Sequence, residues 1–118
     1  DWLEPAPAAY AFDLPPRAAL TGLHGGQLPA AGAFFSIEPA GWIVTALKTA
    51  EDSPRVVLRG YNATGQSLDL QVQTALPFRQ AALLRLDETE VEPLEGSPLR
   101  LAVKPRQIVT LGFSPAAD

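Results

Sequence analysis

Twelve prolines and nine glycines are scattered through 118 residues, and they cut the chain into segments too short for long helices. What lies between them is rich in Val, Leu, Ile and Thr, side chains that suit a pleated, half-buried surface. From Ser67 to Thr74, Leu68, Leu70, Val72 and Thr74 alternate with Asp69, Gln71 and Gln73, which puts one face of a strand in a core and the other in water. Arg55 to Tyr61 sorts Val56 and Leu58 to one side and Val57, Arg59 and Tyr61 to the other. Between these runs stands Asn62-Ala63-Thr64-Gly65, whose Asn and Gly tolerate positive φ, so the pair reads as a β-hairpin with its tight turn there. A second pair lies near the end: Leu99, Leu101 and Val103 alternate with Arg100, Ala102 and Lys104, Pro105 stops the strand, and Ile108 to Phe113 follows. Weaker strands are read at Ala8 to Phe12, Phe34 to Ile37, Trp42 to Lys48 and Ala81 to Leu86. Residues 13–33, with Pro15-Pro16 and Gly25-Gly26, read as a long loop wrapped over the surface.

The expectation is an all-β fold: an antiparallel immunoglobulin-like β-sandwich of about eight short strands in two sheets. Its core should hold Val56, Leu58, Leu68, Leu70, Val72, Leu99, Leu101, Val103, Ile108 and Leu111. The length suits one domain over 1–118, with a loop-rich lead-in to residue 33. Hydrophobic residues at 47% are too many for disorder, and a net charge of −4 disfavours nucleic acid and anionic lipid as partners. No stretch is apolar for long enough to span a membrane, and the acidic start is unlike a signal peptide, so a cytoplasmic location is expected. Without Met at position 1, the sequence reads as part of a longer chain.

Catalytic chemistry finds little purchase. There is no cysteine, and the single histidine, His24, lies between Leu23 and Gly25 in a glycine-rich stretch, so neither a zinc cluster nor a Ser-His triad can be assembled from the usual donors. Solvent exposure is the simpler reading of His24. The acidic run from Asp87 to Glu92 supplies four carboxylates, but it reads as a solvated connector rather than an acid pair for glycoside hydrolysis. Asn62-Ala63-Thr64 matches a glycosylation acceptor, and a turn explains the same residues. Trp2, Tyr10, Phe12, Phe34, Phe35, Trp42 and Tyr61 offer the material of a sugar-stacking platform, although most such residues are core or interface anchors.

Ile43-Val44-Thr45-Ala46-Leu47-Lys48-Thr49-Ala50-Glu51-Asp52, with Val57-Leu58-Arg59-Gly60-Tyr61-Asn62-Ala63-Thr64-Gly65 after it, resembles the C-terminal sandwich of family 38 α-mannosidases. Leu101 to Leu111, through Lys104-Pro105, is similar to that family's last strand pair, and Phe34-Phe35-Ser36-Ile37 also fits. The likeness covers about Phe34 to Phe113. Gly60 replaces an apolar residue of the pattern, and Gln107 stands where Glu is expected. The resemblance implies a zinc-dependent retaining glycosidase as the parent, releasing α-linked mannose from mannosyl oligosaccharides, with metal and nucleophile on another domain and no cofactor in this one. Other domains of the same chain would then be the partners. Lys48, Arg59, Tyr61, Asn62, Lys104 and Thr110 match the pattern and would be scaffold or interface groups, Arg59 having the donors to pair a neighbouring domain's carboxylate. The alternative is an independent immunoglobulin-like or carbohydrate-binding module.

Overall fold

The computed structural model describes residues 5–116. A short helix, α1 (Pro5–Asp13), precedes eight strands: β1 (Phe35–Glu38), β2 (Trp42–Thr49), β3 (Val56–Asn62), β4 (Leu68–Thr74), β5 (Phe78–Leu84), β6 (Glu90–Leu94), β7 (Leu99–Val103) and β8 (Ile108–Pro115). They form two antiparallel sheets, β1-β4-β7 and β2-β3-β8-β5-β6, packed face to face as a β-sandwich. Between the sheets lie Trp42, Leu58, Leu70, Val72, Leu99, Val103, Val109, Leu111 and Phe113. Each large side chain buried there contributes about 1.5–3 kcal/mol. One end of this core is closed by Phe35, Phe78 and Phe113, whose ring centroids lie 5.1–6.0 Å apart.

Both predicted strand pairs exist as strands and neither is a hairpin. β3 pairs with β2 and β8, while β4 pairs with β1 and β7, so the chain between Asn62 and Leu68 crosses from one sheet to the other. Residues 104–107 make a second crossing, from β7 to β8. Four or five residues are ample for the roughly 10 Å between packed sheets. The hairpins are instead β2–β3 and β5–β6, both in the five-stranded sheet.

Three further expectations are corrected. Ala8 to Phe12 is helical rather than extended, because Pro5 and Pro7 suit a first turn and four alanines follow the helix's preference; Leu14 N donates to Tyr10 O to finish it. The eighth strand is β6, in the second half of the supposed acidic connector. Ile108 is 54% exposed, since β8 turns Val109, Leu111 and Phe113 inward and Ile108, Thr110 and Gly112 outward. Residues 14–33 do form a loop, but Leu20 and Leu23 are fully exposed and do not lie against the sandwich.

The outer face of the five-stranded sheet carries the groups of interest, and its register sets them in rungs. Ile43, Tyr61 and Ile108 stand side by side; next come Ala46, Arg59, Thr110 and Leu84; then Lys48, Val57, Gly112 and Ala82.

Candidate functional site

The sequence-predicted residues separate into three groups. Asn62 and Lys104 belong to the two sheet crossings. Asn62 is 0% exposed, and its Nδ2 donates to the carbonyls of Gln66 (2.7 Å) and Lys104 (3.0 Å), one on each crossing. Its Oδ1 accepts from Thr64 N at 2.9 Å and Thr64 Oγ1 at 2.7 Å. The side chain is therefore a clasp with donors and acceptor both used. Lys104 takes part through its backbone: its N–H donates to Gln107 Oε1 at 2.8 Å, and its carbonyl also accepts from Gln107 N. A side-chain oxygen is what that turn requires, and glutamine supplies it as glutamate would. The buried Asn62 amide offers nothing to a glycosylating enzyme.

Lys48 belongs to a cap over the third rung. Its ammonium pairs with Glu51 at 2.9 Å and Glu88 at 2.7 Å, and Glu88 Oε2 also accepts the Glu51 N–H at 2.8 Å. Arg55 pairs with Glu90 beside them. The β2–β3 and β5–β6 loops are thus tied together over Val57, Ala82 and Leu84, which are buried although they face outward. The Lys48 bond and then the Glu51 N–H hold the Glu88 carboxyl below its ordinary value, and Glu88 first and Glu51 second raise Lys48. Asp87 is lowered by the Thr89 hydroxyl and N–H. The acidic run is accordingly a set of loop ties and one edge strand, with Asp87 and Glu88 engaged by Thr89, Lys48 and Glu51 and Glu90 paired with Arg55.

Arg59, Tyr61 and Thr110 form the third group, on the first two rungs. Arg59 Nε donates to Thr110 Oγ1 and its Nη2 to Leu86 O, both at 3.0 Å, which lays the guanidinium flat along the sheet. Arg106 reaches the same place from the β7–β8 crossing, where its φ is 63°, and its Nη1 donates to Ala63 O at 2.7 Å. Together with Thr45, Gly60, Tyr61, Leu86 and Ile108 they line a shallow depression of about 260 Å³. Leu86 is 62% exposed, and α1 covers only the adjoining corner, where Ala6 packs on Ile43, Ala63 and Tyr61. Leu86, Arg106 and Ile108 were invisible as site residues in the sequence: one follows a strand, one sits in a turn and one looked like core.

Gly60 has a steric explanation. A Cβ there would stand 2.5 Å from the Ile43 carbonyl oxygen and 2.6 Å from two ring carbons of Trp42. The Trp42 ring fills the space that an apolar side chain at position 60 would take.

His24 lies in the exposed loop, and among the described residues no three His, Cys, Asp or Glu side chains gather. Of the aromatic side chains, Phe35 and Trp42 are committed to the core, Tyr61 packs on Ala6 and Ile43, Tyr10, Phe12 and Phe34 are exposed, and Trp2 lies outside the described residues. Among the described residues no helix is long and apolar enough to cross a membrane.

Residues 41–111, from the start of β2 into β8, match the family model described as the glycosyl hydrolases family 38 C-terminal β-sandwich domain. A curated protein of Halalkalibacterium halodurans named "Putative mannosylglycerate hydrolase" is 31% identical over 108 residues, which is 90% of this chain and 12% of that protein.

Proposed function

Since the chain belongs to the glycosyl hydrolase family 38 C-terminal β-sandwich domains, we propose that it is a non-catalytic accessory domain of a longer glycosidase. The observation that carries this reading is the family match across both sheets, beside an outer face whose Lys48, Glu88 and Arg59 side chains are engaged in scaffolding bonds. The parent reaction is cleavage of an α-linked mannosyl group. The name of the relative brings a glycerate-bearing mannoside beside mannosyl oligosaccharides as a substrate to assay. Any zinc would be held by residues of another part of the parent, a reading supported by the single His and absent Cys of this sequence and by the lack of a donor cluster among the described residues. Cytoplasmic residence is part of the same proposal.

The test is deletion of this domain from the longer chain, with kinetics on whatever remains soluble. Deletion should lower yield and thermal stability first, because apolar surface on the neighbours is bared, and the surviving enzyme should keep a near-normal KM. A stable deletion variant with normal kcat and a greatly raised KM would reject the accessory role in favour of direct substrate binding. The isolated 118-residue chain should bind no stoichiometric zinc and leave a chromogenic α-mannoside intact.

A further inference from the structure

The outer face of the five-stranded sheet is finished on one side and bare on the other. Over Val57, Ala82 and Leu84 the loops close, and their cations are matched by Glu51, Glu88 and Glu90. Among the described residues, only Ala6 closes over Tyr61 and Ile108, at one corner, and Ile108 and Leu86 remain more than half exposed. Here the two arginines are held by neutral oxygens: Thr110 Oγ1 and Leu86 O for Arg59, Ala63 O for Arg106. None of the ion pairs among the described residues includes either of them. In a chain with a net charge of −4, two cations turned into one depression, bonded to neutral oxygens and reached by a carboxylate among the described residues only through the longer-range pull between Arg59 and Glu88, form a feature that calls for an anionic partner.

We propose that this bare half-face is the docking surface for the rest of the longer chain, and that the surface it receives is apolar and places a carboxylate against Arg59 and Arg106. The proposal rests on the accessory-domain reading and adds to it the face and the chemistry of the contact. Charge complementarity selects the occupant. Leu86, Ile108 and the Tyr61 ring give the apolar area, while the Arg59 guanidinium, already held by two bonds, loses little freedom on pairing. The relative spans far more chain than this domain, so a surface to occupy the face is at hand within one polypeptide.

Thiol labelling of Ile108→Cys in the full-length parent tests the idea, with other cysteines separated by peptide mass and the unfolded protein as the rate reference. The label should enter at least about tenfold more slowly than in the unfolded protein, at a rate independent of protein concentration. Adding Arg59→Gln and Arg106→Gln should remove most of that protection, while the Val109 amide on the same strand stays protected from hydrogen exchange. Arg106→Gln alone, which gives up a single bond to Ala63 O, should show a smaller change in the same direction and guards against a double variant that unfolds. Fast labelling of the Ile108→Cys parent would overturn the proposal. So would protection that survives the loss of both arginines in a folded protein, or protection that grows with concentration, the mark of a second copy as occupant. None of these readouts depends on turnover, so they stand apart from the KM measurement that tests the accessory role.

Discussion

Asn62 shows how much one side chain can decide in a sandwich whose sheets are joined by crossings. Replacement by Ala would remove all four bonds of the clasp: the Lys104 carbonyl keeps Gln107 N and the Gln66 carbonyl keeps the Thr64 hydroxyl, but the Thr64 N–H loses its acceptor and a buried gap opens between the crossings. Each unsatisfied buried group costs about 1–3 kcal/mol, part of it recovered where the turn can relax toward water. We expect Asn62→Ala to lower unfolding stability by about 3 kcal/mol, read from the urea midpoint at unchanged slope. Asn62→Asp should do no better at neutral pH, since it keeps the acceptor and loses both donors; a variant within about 0.5 kcal/mol of the parent would show the clasp to be dispensable. The sequence displayed Asn62 plainly but with the wrong role, because Asn serves equally as a residue tolerant of positive φ and as a side chain that bonds main-chain groups. Gly60 and Gln107, which depart from the family pattern, were likewise visible without their reasons: a Trp42 ring from the neighbouring strand and an oxygen aimed at Lys104 N.

Among the elements, those with two-residue periodicity were the legible ones. β3, β4, β7 and β8 carry Val and Leu toward the core at alternate positions, and each falls within a residue or two of its expected bounds. β6 was hidden because Glu90-Val91-Glu92-Pro93 is the composition of a sheet edge, where charge and proline deter pairing with other chains. The pairing of strands was not legible, since the period of two fixes which face a residue takes and is silent on which neighbour it meets. The outer-face cap, built from loops, has a pH signature. Glu88 titrates below its ordinary 4.5 in the folded chain, so its contribution is complete above that value and fades as pH falls through the lower folded value. Lys48 is shifted the other way from 10.5, so its share is complete below that value and fades only as pH rises beyond it. Glu88→Gln should therefore flatten the acid limb of the stability profile below about pH 4.5 and leave its slope between pH 6 and 9 unchanged. An acid limb identical to that of the parent would mean that the Glu88 bonds do not persist in solution.

At the scale of the whole molecule, the order in which the strands arrive matters. β8 is the last strand made and lies in the middle of the five-stranded sheet, with Val56 opposite Phe113 on one side and Leu83 opposite Leu111 on the other. Until it is in place, β2–β3 and β5–β6 are two separate hairpins, each too small to persist alone. Synthesis of this segment on a ribosome should therefore yield no stable intermediate sheet: nascent chains stalled before residue 108 should be cleaved by protease as readily as an unfolded peptide. Resistance should appear in one step once Phe113 has left the exit tunnel. With its central pairings so far apart along the sequence, the domain should close on the order of milliseconds to seconds rather than microseconds. During that interval the growing polypeptide holds two unpaired hairpins in search of a keystone, and any neighbour already folded upstream is the surface they meet first.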